Sequence, residues 1–118
     1  MRIEWSDQAL EDLSDILHYV VDYFGEAVAY RVNNEINDDV DVLAQFPMMG
    51  SVLFFNRTRN ITYRTFSTRH YKIIYYIKDN VLKITLLWNN RHDSKTLKRQ
   101  LSNTESYENS FSHLSKNM

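Results

Sequence analysis

The sequence predicts a two-layer α+β domain in which a pair of helices covers one face of an antiparallel sheet. Apolar residues recur at helical spacing before Pro47, β-branched and aromatic residues dominate after Gly50, and Asp79-Asn80 suits a two-residue hairpin turn. A chain of 118 residues suffices for one domain with one core. We expect that domain to span residues 1–101, followed by a disordered tail, 102–118, that is rich in serine and asparagine.

A short strand and two helices are predicted first. Arg2 to Ser6 reads as a strand, and Ser6 or Asp7 then suits the cap of a helix that ends at Gly25. A second helix is predicted from about Glu26 to Gln45, where Phe46-Pro47 stops it. Two helices joined at one glycine must form an antiparallel hairpin.

A three-stranded antiparallel meander is predicted next, from Ile61 to Ser67, Tyr71 to Lys78 and Val81 to Trp88. With a two-residue turn, strict alternation pairs Tyr75 with Ile84, Ile73 with Leu86 and Tyr71 with Trp88 on one apolar face. That face is expected to pack on the helices. A short helix is also possible at Lys95 to Leu101.

The opposite face of the meander is predicted to be basic, aromatic and uncovered. It carries Lys72, Tyr76 and Lys78 on one strand and Lys83 on the next. Tyr63 joins it if the first turn has two or four residues, whereas a three-residue loop would reverse that assignment.

Charge is divided along the chain. Residues 1–50 hold eleven acidic residues against two arginines, a net −9, whereas residues 51–100 hold eleven basic residues against two aspartates, a net +9. This division suggests an acidic layer and a basic layer, or two solvated faces that attract each other.

Several kinds of site are not expected. The chain has no cysteine, its four histidines have no metal-ligand spacing, and its two glycines cannot form a phosphate-binding loop. We therefore expect neither a metal nor a cofactor. No apolar run is long enough to cross a membrane, so we expect a cytoplasmic protein without a membrane partner.

Four stretches together resemble the RelE/ParE superfamily of toxins from bacterial type II toxin–antitoxin systems. They are WSDQALEDLSDILHYV, LAQFPMMG, YKIIYYI and LLWNNRHDSKTL, and the resemblance runs from Ile3 to about Leu97. It implies the fold described above, a toxin that inhibits growth within a plasmid-stabilisation module, and a cognate antitoxin that neutralises it. RelE-like members cleave mRNA on the ribosome, whereas ParE-like members inhibit DNA gyrase.

The resemblance also implies candidate site residues. Lys72 and Arg91 match basic positions with which RelE-like toxins hold the scissile phosphate, and His92 could act as the general acid. A wider surface for the effector or antitoxin would comprise Arg57, Arg59, Tyr63, Arg64, Arg69, Tyr76, Lys78 and Lys83. Each residue also has an ordinary interpretation, as a solvated strand face, a turn histidine or a local ion pair.

The target stays open between DNA gyrase and ribosome-bound mRNA. Tyr63 and Thr65 stand where RelE-like nucleases place lysines, and Leu97 stands near the position of their tyrosine, so gyrase is slightly favoured. If the protein is an enzyme, it would be a metal-independent endoribonuclease. A third hypothesis is a non-toxic module that only binds an antitoxin.

Overall fold

The computed structural model describes residues 1–68 and 70–89 in full and the backbone of 111–115. Two helices and six strands follow one another in this part of the chain. They are β1 (Arg2–Ser6), α1 (Asp7–Phe24), α2 (Glu26–Gln45), β2 (Ser51–Asn56), β3 (Ile61–Ser67), β4 (Tyr71–Lys78), β5 (Val81–Asn89) and β6 (Phe111–Ser115).

The strands form one mixed sheet with the order β2-β3-β4-β5-β1-β6. Strands β2 to β5 make an antiparallel meander, β1 lies parallel to β5, and β6 is antiparallel to β1. The parallel pair exists because the helix hairpin and the meander lie between β1 and β5, which is a connection long enough for a crossover.

The predicted two-layer α+β class is confirmed, together with both helices and the three predicted strands of the meander. Strand β2 was not predicted. Its sequence, SVLFFN, is apolar without alternation and resembled the start of a loop. The sheet is also mixed rather than purely antiparallel, because β1 enters it beside β5.

The helix hairpin has well-defined ends. The side chain of Ser6 caps α1 by accepting a hydrogen bond of 2.9 Å from the backbone N–H of Ala9. Gly25 then separates the helices with φ 92° and ψ 169°, a conformation that is nearly exclusive to glycine. At the far end, the N–H of Phe46 closes the last turn of α2 on the carbonyl of Val42.

The main core lies between the hairpin and one face of the sheet. Trp5 on β1, Ile36 and Leu43 on α2, and Ile73 and Ile84 in the meander are all at most 1% exposed. Burying side chains of this size stabilises a fold by roughly 1.5 to 3 kcal/mol each before entropy is counted. This cluster therefore provides most of the hydrophobic stabilisation that holds the two layers together.

Two polar side chains bind the start of the hairpin to β5 at the point where β1 ends. The hydroxyl of Ser6 donates to the carbonyl of Thr85 over 2.7 Å. Asp12, one turn into α1, accepts the backbone N–H of Leu87 at 3.1 Å and the side chain of Gln8 at 2.8 Å. β1 is too short to pair with all of β5. Ser6 and Asp12 therefore form hydrogen bonds with backbone groups of β5 that lie beyond the end of that pairing.

A bulge at Thr85 changes the register that strict alternation predicted between β4 and β5. Tyr75 pairs with Ile84 as expected, but Ile74 then pairs with Leu86 and Lys72 with Trp88. The extra residue moves every later side chain of β5 to the opposite face. The predicted positions of Leu86 and Trp88 in the helix-side core are therefore wrong.

Both turns of the meander place the side chains beside them on the predicted faces of the sheet. Asp79 and Asn80 have φ 54° and 60°, as a tight hairpin turn between antiparallel strands requires. Phe66 pairs with Ile73, so Tyr63 lies on the face away from the helices, as a two- or four-residue turn predicts.

Within the predicted tail, the described residues 111–115 form a strand. Phe111–Ser115 pairs with β1, since β1 would otherwise form the sheet edge there and its backbone groups can accept a further strand. The short helix considered at residues 95–101 lies outside the described residues. In the described part of the chain no helix combines the length and apolarity that a membrane span needs.

Candidate functional site

The sheet face opposite the helices was predicted to be an open basic and aromatic surface. Its centre is instead a second apolar cluster, and we call this the second-face cluster. Six buried residues form it, with Leu53 and Phe54 packed against them: Ile61, Tyr63, Ile74, Tyr76, Leu86 and Trp88. The sequence did carry a signal, because YKIIYYI is apolar at odd and even positions alike, which is typical of a strand buried on both faces.

Tyr63 and Tyr76 lie inside this cluster, exposed by only 0% and 4%. The prediction that they belong to an open surface is wrong, since their rings pack against each other edge to face at 5.6 Å. Burial, reinforced by the neighbouring Tyr63 phenol, raises the pKa of Tyr76 to about 12. Neither ring is presented for stacking on a nucleotide base.

Lys72 lies at the edge of the second-face cluster, half-buried. It pairs with Ser67 on β3 and with Trp88 on β5, at the end of the sheet where β5 stops at Asn89. The predicted position of this lysine on the second face is confirmed by the register.

Lys78 and Lys83 lie near the other end of the meander. Lys78 is exposed beside the Asp79-Asn80 turn, six residues along β4 from Lys72, which corresponds to roughly 20 Å. Lys83 forms an ion pair with Glu4 on β1, and that carboxylate also accepts a hydrogen bond of 3.0 Å from Arg2. These groups line a shallow depression of about 330 Å³.

Arg64 lies on the helix side of the sheet and not on the second face, because it pairs with Tyr75. Its Nη1 donates a 2.6 Å hydrogen bond to the carbonyl of Gly50. This arginine therefore secures the turn between α2 and β2, and its part in an effector or antitoxin surface stays a prediction.

Arg57 and Arg59 are exposed in the turn that joins β2 to β3. The turn is held locally, since the backbone N–H of Arg59 donates to Oδ1 of Asn56 at 3.1 Å. Arg69, Arg91 and His92 lie outside the described residues.

The described basic residues therefore fall into separate groups: Lys78 and Lys83 lie at the same depression, whereas Lys72 and Arg64 lie elsewhere. Lys72, Lys83 and Arg64 occupy one end of the second face, its other end and the opposite face of the sheet. Metal-independent cleavage of RNA needs several such groups around one phosphate. Within residues 1–68 and 70–89, no cluster of histidine or carboxylate side chains has the arrangement of a metal site.

Two exposed apolar patches were not predicted. The first is an aromatic tip on the helix hairpin, formed by Tyr19, Tyr23, Phe24 and Tyr30, with Tyr23 and Tyr30 exposed by 70% and 71%. The second follows α2 and continues along β2, where residues 46–56, FPMMGSVLFFN, contain no charged side chain. A stretch of eleven uncharged residues in a chain with 25% charged residues was the signal available in the sequence.

Comparison with known proteins adds a family and a fold. A family model described as the ParE toxin of type II toxin–antitoxin systems, parDE, matches residues 3–93. Among solved structures, seven chains match, and one of them is from a chromosomal ParDE toxin–antitoxin system of P. aeruginosa. That match has a TM-score of 0.64 at 18% sequence identity and covers 75% of this chain and 95% of the other. None of the curated proteins matches the sequence.

Proposed function

The chain belongs to the ParE toxin family of type II toxin–antitoxin systems, and from this premise we propose that its cellular target is DNA gyrase. The observation that carries the proposal is the dispersal of the described cations. Lys72, Lys83 and Arg64 cannot hold one phosphate between them, and Lys83 and Arg64 are already bound to Glu4 and Gly50. A gyrase inhibitor of this family acts by binding and requires no such group of cations.

The helix hairpin further supports a protein target. Residues 7–45 hold ten acidic residues against Arg31 alone, a net −9, so this face repels the phosphates of a nucleic acid. Its aromatic tip exposes tyrosines, which are common among the residues that dominate protein–protein binding energy. We place the contact with gyrase at this tip.

A cognate antitoxin is the second partner of the proposal. The exposed arginines of the turn between β2 and β3, Arg57 and Arg59, would bind acidic side chains of such a protein. Both partners are expected in the cytoplasm, where gyrase acts.

The proposal is tested by titrating the purified full-length chain into gyrase with relaxed plasmid and ATP. Supercoiling should be blocked, while mRNA from cells that express the protein stays intact. In the double variant Tyr23→Ala/Tyr30→Ala, at least about tenfold more protein should be needed for the same inhibition, since two exposed anchors are lost. The matched control is Lys72→Ala, which should inhibit as the wild type does.

A second candidate function is ribosome-dependent cleavage of mRNA, and the position of Lys72 favours it. This lysine pairs with Trp88, three residues before Arg91 in the sequence, at the end of the sheet where β5 stops. Codon-phased mRNA cuts that disappear in Arg91→Ala or Lys72→Ala, with unimpaired supercoiling, would replace the gyrase proposal by this one. Growth without arrest on expression would instead indicate a non-toxic antitoxin-binding module.

A further inference from the structure

The uncharged segment 46–56 follows α2 and lies at the β2 edge of the sheet. It comprises the C-cap residue of α2, the following turn and β2, and we call it the β2-edge patch. Five large apolar side chains in it are exposed by 45% to 64%: Phe46, Met48, Met49, Val52 and Phe55. Exposed apolar residues are ordinary when they are scattered, but five within ten positions mark an interaction surface.

The backbone of β2 contributes to the same surface. β2 is the first strand in the order of the sheet, and among the described strands it pairs with β3 alone. Folded proteins commonly protect such an edge with lysine or proline, and the sequence SVLFFN contains neither. The outer edge of β2 is thus suited to meet another strand.

The size of the patch matches one half of a protein interface. From the exposed fractions of its five side chains, it presents on the order of 500 Å² of apolar surface. A stable interface buries about 800 Å² on each partner, including its polar rim. The patch can therefore form the apolar centre of an interface, with β2 and the adjoining turns as the rim.

The charges around the patch are complementary when two copies meet with antiparallel β2 strands. Arg57 follows the end of β2, whereas the last turn of α2, just before its start, has no basic residue and follows Asp41. A two-fold axis would place Arg57 of each copy beside the negative end of α2 in the other. The uncharged centre allows two copies to meet without repulsion between like charges.

We propose that two copies of this chain associate through the β2-edge patch as a symmetric dimer. Val52 and Phe55 lie on the helix side of β2, and in the dimer they pack against the same two residues of the other copy. Phe46 and Met48, which follow α2, pack around this contact. A register shift between Val52 and Phe54 interrupts the strand, so side-chain packing contributes more to the contact than a long ladder of hydrogen bonds. The target-binding tip of each hairpin is not part of this interface.

Sedimentation equilibrium of the full-length chain over a wide range of concentrations tests the dimer. The wild type should show the mass of two chains and dissociate on dilution. Val52→Lys should shift the dissociation constant at least about a hundredfold, because it places two ammonium groups at an apolar two-fold contact. Val21→Lys is the matched control, since Val21 is also an exposed valine but lies on the hairpin, and it should leave the dimer unchanged.

A cross-link provides a second measurement that does not depend on the lysine variant folding well. The chain contains no cysteine, so Val52→Cys introduces a single thiol. A short bismaleimide should join two Val52→Cys chains and fail to join two Val21→Cys chains. A wild type that stays monomeric at every concentration, or a dimer that Val52→Lys leaves intact, would overturn the proposal.

Discussion

Tyr75 joins the sheet to the turn that follows α2 through a single hydroxyl group. Its Oη accepts the N–H of Gly50 at 3.0 Å and donates to the carbonyl of Pro47 at 2.7 Å. Arg64 on β3 supports the same turn through the carbonyl of Gly50. This buried tyrosine therefore sets the direction in which the chain leaves the hairpin and enters the edge strand.

Replacing Tyr75 with phenylalanine should lower the free energy of unfolding by about 1 to 3 kcal/mol, because the buried N–H of Gly50 and the half-buried carbonyl of Pro47 lose their partner. Urea denaturation followed by circular dichroism measures the difference. Tyr23→Phe, at an exposed tyrosine of the hairpin tip, should leave the midpoint unchanged. Equal effects of the two variants would contradict the structural role of the Tyr75 hydroxyl.

Gly50→Ala should destabilise the protein by about 1 to 3 kcal/mol for a steric reason. A Cβ on Gly50 would lie 2.5 Å from Oη of Tyr75 and 2.8 Å from the carbonyl oxygen of Thr65. Because the nearest clash is with the hydroxyl, Tyr75→Phe should relieve part of it, and the double variant should lose less stability than the two single variants together. Additive losses in a double-mutant cycle would show that the hydroxyl contact is not responsible.

Individual elements differ in how far the sequence predicts them. Both helices and the Asp79-Asn80 hairpin follow from local signals, namely apolar spacing, a glycine between helices and turn chemistry. The bulge at Thr85 does not, because LLW offers an apolar residue to either face and the pattern is satisfied in both registers. Packing between the sheet and the helices, and not the local sequence of β5, decides whether Leu86 or Leu87 points toward the helices.

The sequence also predicts some positions of the candidate site and not others. Period-two alternation places Lys72 correctly, since the extra residue of the bulge lies on β5 and leaves the alternation of β4 unbroken. It could not reveal that Lys83 would pair with Glu4 across 79 residues of sequence, or that Arg64 would bind Gly50. Both contacts depend on long-range placement, and both remove cations from the surface that charge alone suggested.

Asp12 ties α1 to β5, and its burial makes the stability of that contact depend on pH. Burial outweighs the hydrogen bonds from Gln8 and Leu87 and raises the pKa of Asp12 above its ordinary value. The folded state therefore binds this proton more tightly than the unfolded state, and the stabilisation is lost as pH rises through the folded pKa.

Relative to wild type, Asp12→Asn should accordingly become more stable as pH rises from about 4 to about 7, a range above the ordinary pKa of aspartate. The free energy of unfolding of the two proteins is compared at each pH, so that other carboxylates cancel. Asp22→Asn, at an exposed position of the same helix, should show no such trend. The opposite trend would mean that the ionised carboxylate stabilises the helix–sheet contact.

At the scale of the whole molecule, charge is segregated by layer. Most acidic side chains of the hairpin are exposed, and some like charges lie one helical turn apart, such as Glu11 and Asp15. The cations of the second face lie on the far side of the sheet, whereas neighbouring carboxylates of the hairpin are only about 5 to 6 Å apart at Cβ. Repulsion within the hairpin is therefore stronger than attraction between the layers.

Moderate salt should consequently stabilise the protein. Raising sodium chloride from about 0.02 M to about 0.3 M should increase the melting temperature by a few degrees, because it screens the repulsion among hairpin carboxylates. Asp38→Asn should reduce this increase by removing one of these charges. A melting temperature that falls with salt would show that attraction between the two layers dominates.

The parallel pairing of β1 with β5 has a consequence for the order in which the protein can be made. Ile3 pairs with Leu82, so β1 has no neighbour in the meander until almost eighty further residues have been synthesised. The hairpin and the first three strands of the meander can form beforehand, since their contacts are local, but β1 joins the meander only after β5 has been synthesised. A nascent chain therefore lacks the β1–β5 pairing, and with it the complete sheet, until β5 has emerged.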